Sequence, residues 1–319
     1  MIMNKSHEEL MMETMYWWGI PTLFRCEHNT NVSECDIALV GVPHSSGNGT
    51  TERDQHLGPR AVRNISAGLR RAHLEFEINP WDNKKIFDLG DVPLPEANNN
   101  EKCIERITSF FSKIAKENKP TVSIGGDHSI TGGIIQGLAK EKKISFLHID
   151  AHTDTYRQLD HFLGAKKSAA HWGSYLVEDG LVDSTKSMQI GMRGNPRTLD
   201  WLKPSYDLGY NVITMEEFRK KGIKEVISES LDIIGENPVY ITFDLDSLDS
   251  SIAPAVSNLE PSFSGFTIDE AKMLIQSMKS KNVIGGDVVC LMPTKDSPNN
   301  ITSMVAASIM FEIISVIAF

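Results

Sequence analysis

Cysteine is scarce in this 319-residue chain: Cys26, Cys35, Cys103 and Cys290 are all it has, and no two of them stand in Cys-x-x-Cys spacing. Neither a thiolate zinc site nor a disulfide framework is indicated, and reduced thiols fit a cytoplasmic protein. Positive charge is also short. The 32 Lys and Arg against 42 Asp and Glu leave a formal charge of -10, which argues against nucleic acid as a partner because that needs a basic footprint. Neither GxGxxG nor GxxxxGK[ST] occurs, so no nucleotide-binding fingerprint is present. The first twenty residues carry Glu8, Glu9 and Glu13 and lack an apolar core of signal-peptide length, so no secretory leader is expected. No compositional linker divides the chain and no internal repeat recurs. A single domain over 1–319 is therefore expected, with 1–35 as an N-terminal arm. Long apolar runs are limited to Ser303–Phe319, broken only by Glu312. That length is marginal for a bilayer span, and a buried final helix packing on a sheet, with no membrane partner, is the expectation.

What is present is an alternation of short apolar runs with helical patterns. Asp36–Val42, Lys85–Leu89, Thr121–Ile124, Ile144–Asp150, Ser187–Met192, Asn211–Thr214, Val239–Asp244 and Val283–Leu291 read as buried strands. Helical patterns follow Gly58-Pro59-Arg60 and cover Glu101–Glu117, Ile130–Lys140, Lys224–Ile234, Ile268–Lys279 and Ile301–Ile317. Strands alternating with helices predict parallel βαβ units and an α/β fold, a three-layer α/β/α sandwich with a mainly parallel central sheet. In such sheets ligands bind at the carboxyl ends of strands. The polar, glycine-bearing loop from Pro43 to Asp54 leaves the first strand and is a candidate substrate wall, with Asn48, Thr50, Thr51 and Glu52 as candidate hydrogen-bonding groups.

Three strand ends carry the same kind of group. Gly125-Gly126-Asp127-His128-Ser129 follows one strand, Asp150-Ala151-His152-Thr153-Asp154 a second, and Asp244-Leu245-Asp246-Ser247-Leu248-Asp249 a third. Two-residue spacing lets Asp150 and His152 converge, and likewise Asp244 and Asp246, while Asp154 can curl back from beyond its strand. Each cluster alone reads equally as a solvated turn or a helix cap. Together, four carboxylates at strand ends would repel one another and resist burial unless cations compensated them. Four Asp and two His suit two divalent metals of the Mn/Co/Ni type better than a thiolate-rich zinc site.

The motifs GGDHS at 125–129, DAHTD at 150–154 and FDLDSLD at 243–249 resemble the three signatures of the ureohydrolases, the family of arginase, agmatinase and the guanidino-acid hydrolases, in order and in spacing. The resemblance runs from about Trp17 onward. Within the family, the loop GVPHSSGNGTTERDQHLGPRAVR and the later MPTKD are most similar to the branch acting on free guanidine or small substituted guanidines. The resemblance implies an arginase-deacetylase-like fold. It also implies two divalent ions per chain, Mn or Ni with Co as a third choice, one held by His128, Asp150, Asp154 and Asp244 and the other by Asp150, His152, Asp244 and Asp246. A hydroxide between them would attack the guanidinium carbon, with Asp154 orienting it. His171, in Ala169-Ala170-His171-Trp172-Gly173, is the candidate proton shuttle to the departing nitrogen, a structural loop histidine being the alternative. The products are urea plus ammonia or an amine.

Two departures bear on substrate. Cys290 stands where the family's last strand typically ends in a Glu that grips the guanidinium, and a neutral thiol cannot form that bidentate pair. Cys290 is thus a candidate substrate-site residue or a plain buried strand residue. Ser250-Ser251 replaces a usual Pro beyond the third motif and is expected to alter only the loop. Agmatine, guanidinobutyrate and guanidinopropionate are the alternative substrates, with Arg157 and Arg193 as candidates to bind the tail of a guanidino acid. A non-catalytic accessory subunit is the alternative of another class, and a one-zinc deacetylase-like hydrolase a third. Family analogy also implies a homotrimer or homohexamer, for which Trp17-Trp18 is a candidate interface.

Overall fold

The computed structural model describes residues 6–8, 11, 15–48, 53–139, 143–157, 165–261 and 264–319. Thr50, Thr51 and Glu52 of the candidate substrate loop lie outside them. The strands in chain order are β1 (Glu27–His28), β2 (Ile37–Val42), β3 (Ile86–Asp91), β4 (Thr121–Gly125), β5 (Ser145–Ile149), β6 (Met188–Met192), β7 (Asn211–Thr214), β8 (Val239–Asp244) and β9 (Val283–Val289). The helices are α1 (Gly58–Ser66), α2 (Pro80–Asn83), α3 (Asn100–Lys116), α4 (Ser129–Leu138), α5 (Trp172–Glu178), α6 (Lys203–Leu208), α7 (Met215–Lys221), α8 (Ile223–Ile234), α9 (Ile268–Gln276) and α10 (Ile301–Ala318).

Among the described residues, all nine strands join one sheet in the order β1-β3-β2-β4-β9-β8-β5-β6-β7, and every strand pairing is parallel. Strand alternation sorts the apolar side chains into two layers. Leu39, Val122, Ile124, Leu147, Ile149, Ile241, Phe243 and Val288 pack on one side with Val226 of α8, Leu274 of α9 and Ile309 and Ile313 of α10. Val40, Phe146, Tyr240 and Val289 pack on the other with Ile107 and Phe111 of α3, Ile134 of α4 and Trp172 of α5. This is the expected α/β/α sandwich. The edge strand β1 falls inside the stretch read as an N-terminal arm.

The closing apolar run is α10, whose length and hydropathy would suit a bilayer but which is 67% buried within the protein. It packs on β4 and β9, where Gly286 leaves room for Ile313. The last strand stops two residues earlier than its apolar pattern, because Cys290 takes a left-handed backbone angle of φ 69°. The pattern from Ile268 ends as an α-helix at Gln276 and continues as a 3-10 turn. Four helices, α2, α5, α6 and α7, and the two-residue strand β1 lie outside the patterns read from the sequence.

Candidate active site

The strands ahead of the motifs, β4, β8 and β5, lie at the centre of the sheet in the order β4, β9, β8, β5, with β9 between the first two. Because all run parallel, their carboxyl ends open into one crevice. Register places Phe243 beside both Ile149 and Val288, and Asp244 beside Val289. Alternation then puts His148, Asp150, Thr242, Asp244 and Asp287 on the face covered by α3, α4 and α5. At the end of β4, Gly126 is required: a Cβ there would lie 1.8 Å from the His44 carbonyl oxygen. Asp127 stays out of the cluster. Its Oδ2 accepts the Gly47 N–H at 2.9 Å and its Oδ1 accepts the Ser129 N–H at 3.0 Å, which fastens the Pro43–Asp54 loop to the motif.

His128 is buried, with Nδ1 2.9 Å from Asp150 Oδ2, 3.0 Å from Asp154 Oδ2 and 3.2 Å from Asp244 Oδ2. On the opposite edge of the ring, Nε2–H donates to Thr242 Oγ1 at 2.9 Å, and the Thr242 hydroxyl donates onward to Asp287 Oδ1 at 2.6 Å. Asp287 also accepts from the hydroxyls of Thr131 (2.8 Å) and Tyr240 (3.0 Å). This relay sets the tautomer. The Nδ1 lone pair faces three carboxylate oxygens and finds no hydrogen-bond donor among the described residues, an arrangement that is repulsive unless positive charge stands among them.

The titration pattern agrees. Burial opposes charging of His128, yet the contacts with Asp150, Asp154 and Asp244 outweigh it and raise its pKa well above the usual value. Burial would raise Asp150 too, but His128, His148 and His152 hold it well below the usual carboxylate range. Asp246 goes the other way, pushed well up by burial and by the charge of Asp244.

Asp154 sits at φ 50°, which turns its carboxylate back toward the sheet, and its Oδ2 accepts the Trp172 indole N–H at 2.9 Å. The Asp154 carbonyl accepts the Gly173 N–H at 2.9 Å, so the His171-Trp172-Gly173 segment is braced on this residue. His171 is buried, with Nδ1 2.7 Å from Ser168 Oγ. His152, 30% exposed at its side chain, has Nδ1 3.2 Å from Asp246 Oδ2 and 3.5 Å from Asp150 Oδ1, and Nε2 3.2 Å from Glu260 Oε1. The six residues read as metal ligands from the sequence are thus gathered in one place. They form two overlapping groups that share Asp150, one with His128 and Asp154 and one with His152 and Asp246. Asp244 reaches the first through His128.

The donor set fits two divalent cations. Four carboxylates and two neutral imidazoles leave a charge that two such ions cancel, and hard oxygen with imidazole nitrogen suits first-row divalent metals. His148 lies close enough to be a seventh ligand, but both its nitrogens are engaged. Nε2–H donates to Asp150 Oδ2 at 2.8 Å, and Gln189 Nε2 donates to Nδ1 at 3.1 Å and to the Thr153 carbonyl at 2.7 Å. It orients Asp150.

Among the candidate substrate residues, Asn48 is buried and donates from Nδ2 to Ser257 Oγ at 2.8 Å, a contact that braces its loop. Cys290 is buried beside Asp244, its N–H donating to the Gly126 carbonyl at 2.9 Å. Burial and the charges of Asp244, Asp246 and Asp150 push its thiol well up, so it is neutral. Arg193 is not available for a substrate tail. It is 5% exposed, and its guanidinium donates to the carbonyls of Asp246, Ser247 and Leu248 at 2.6–3.0 Å, so it stitches the third motif together. Arg157 is paired with Glu178 at 2.8 Å. Ser251, at the second departure, donates to Asp249 from N–H and hydroxyl, closing the loop locally.

The sequence reading missed His148, Thr242, Asp287 and Glu260. For the first two the signal was available, since each precedes a motif aspartate by two residues in its strand and so shares its face. Asp287 stood out as a charge inside an apolar strand.

Residues 35–315 match the arginase family. The chain is 32% identical to guanidinopropionase of Pseudomonas aeruginosa over 302 residues, covering 94% of this chain and 92% of that one. It is 33% identical to the mitochondrial agmatinase of Gallus gallus over 301 residues, covering 94% and 86%. Among solved structures, proclavaminate amidino hydrolase from Streptomyces clavuligerus superposes with a TM-score of 0.88 at 26% identity, covering 95% of this chain and 98% of that one. With its nine-stranded parallel sheet and its Asp/His crevice, the chain belongs to the arginase family, and with it to the amidinohydrolases, enzymes that act on C–N bonds.

Proposed function

We propose that this chain hydrolyses free guanidine or a small substituted guanidine to urea plus ammonia or an amine. The observation that carries the reading is the gathering of Asp150, Asp154, Asp244 and Asp246 around His128 and His152. In this reading His128, Asp150, Asp154 and Asp244 hold one cation, and Asp150, His152, Asp244 and Asp246 hold the other. When bound, two divalent ions, Mn or Ni before Co, neutralise the carboxylates and lower the pKa of water to near neutrality.

The chain's own groups do the rest. Asp154, fixed by the Trp172 indole, orients the attacking water and takes its proton. A C–O bond forms at the guanidinium carbon, the C–N bond breaks, and the departing nitrogen is protonated through His171, which Ser168 anchors. Asn48, Thr50, Thr51 and Cys290 are the proposed substrate-side residues. The neutral Cys290 thiol and the engagement of Arg193 and Arg157 favour a substrate without an anionic tail. Agmatine, guanidinopropionate and guanidinobutyrate are the competitors. Exposed Trp17 and Trp18 support a homotrimer or homohexamer, and four free, buried cysteines support a reducing compartment such as the cytoplasm.

A urea-release screen over guanidine, methylguanidine, agmatine, guanidinobutyrate, guanidinopropionate and arginine, with Mn or Ni supplied, tests the reading. Guanidine or methylguanidine should turn over fastest, and Cys290→Glu should move preference toward longer substrates. Preference for a guanidino acid or arginine would overturn the substrate assignment. Silence toward every compound under both metals would overturn the catalytic one in favour of an accessory subunit.

A further inference from the structure

The two imidazoles of the cluster are backed differently. His128 donates to a buried hydroxyl, Thr242, which hands its own proton to Asp287. His152 donates directly to a carboxylate, Glu260, 108 residues away and outside every motif. Glu260 is built into place. Its backbone holds a left-handed angle of φ 44°, uncommon for a residue with a side chain. Gly194 leaves the room it occupies, since a Cβ at Gly194 would lie 2.4 Å from Glu260 Oε2. The backbone of Asn195 hydrogen-bonds the same carboxylate, and the Arg193 charge lies nearby.

We propose that Glu260 is the positioning residue for His152. By accepting Nε2–H it leaves the Nδ1 lone pair facing Asp246 and Asp150, and by its charge it makes that nitrogen a stronger donor to the cation on that side. A carboxylate behind a metal-binding histidine fixes ring orientation and raises ligand basicity, and its loss typically weakens metal binding by about 10–100-fold. The inference rests on the two-cation reading of the cluster. It assigns Glu260 to the His152 side, because among the described residues Glu260 contacts the His152 ring directly and has no hydrogen bond or ion pair with His128.

Mn2+ titration by calorimetry, with metal content after gel filtration, compares wild type, Glu260→Gln and Glu260→Ala. Wild type should bind two ions per chain. Glu260→Ala should keep one of them at unchanged affinity and bind the other about 10–100-fold more weakly. Glu260→Gln, which keeps an acceptor oxygen and loses the charge, should fall between. At saturating Mn2+ both variants should recover the wild-type KM. Unchanged binding in Glu260→Ala, equal weakening of both sites, or a raised KM at saturating metal would overturn the proposal. Should Glu260→Ala not fold, the isosteric Gln variant decides by the same readings. A wild type that binds no Mn2+ would overturn the two-cation reading as well, whereas two bound ions with an unaffected variant would overturn this inference alone.

Discussion

Buried carboxylates occur in two settings in this sheet, and they are balanced in opposite ways. At β3, Asp88 has its own cation: Arg63 grips it with Nε at 2.8 Å and Nη2 at 2.9 Å, reaches Asp91 at 2.6 Å, and the N–H groups of Leu23 and Gly90 complete the shell. At the crevice, Asp150, Asp154, Asp244 and Asp246 have histidines for neighbours and, among the described residues, no Lys or Arg ion pair. The first arrangement is closed and structural. The second is left for cations to complete, and so depends on what is in solution. The one arginine that reaches them among the described residues, Arg193, meets the backbone carbonyl of Asp246 and no carboxylate of the four.

The contrast breaks most visibly at Asp246. Asp246→Ala should lower kcat/KM by about 10³-fold or more, several kcal/mol of transition-state stabilisation, and should abolish any rise of Tm with added Mn2+. Wild type at roughly 100 times the Kd should gain about 2.7 kcal/mol. Retained activity or an unchanged Mn2+ response in the variant would erase the distinction between the two settings.

Arg63→Met is the reciprocal test. It strands a buried charge at Asp88 and should cost about 3–5 kcal/mol in urea melts, while metal content and the Mn2+ increment stay at wild-type values. Here pH sharpens the comparison. Burial raises the Asp88 pKa, but Arg63 and the backbone N–H groups outweigh it and hold it below the usual value. A depressed carboxylate contributes stability above its unfolded pKa of about 3.9, and that contribution is lost as pH falls through this value toward the lower folded one. The gap between wild type and Arg63→Met should therefore narrow in acid, and a gap that widens would refute the assignment.

The smallest effect is expected at Thr242→Val. It removes the hydroxyl between His128 and Asp287, with a cost of about 1–3 kcal/mol for the groups left unsatisfied. Metal should weaken on the His128 side while the His152 side is unaffected.

Strands β7 and β8 coincide with their sequence patterns because each apolar run is bounded by polar residues or a helix start. Helices α2, α5, α6 and α7 escaped because they span four, seven, six and seven residues, two turns or fewer, too short for a 3.6-residue period to show. A capping signal was there at α7, where Thr214 and Glu217 form a reciprocal box. The candidate ligands were legible because each motif concentrates them within a few residues of a strand end. Glu260 was not, since only the tertiary fold carries it to His152. Arg193 misled because an arginine facing backbone carbonyls and one facing a substrate look alike in sequence.

The position of α10 has a consequence for how the protein is made. It covers the face of β4 that carries Val122 and Ile124, yet it is built from residues 301–318. Helix α1, made before β4, packs on the same face; at synthesis rates of about 5–20 residues per second, the part that α10 covers stays open for roughly 10–40 s after β4 is polymerised. Strand β9, which separates β4 from β8, also arrives late, so neither the complete sheet nor the crevice at its strand ends exists before residues 283–289 are made. Assembly of the catalytic centre therefore waits for residues 283–318, and until they are made the nascent protein is a natural client for chaperones that shield apolar surface.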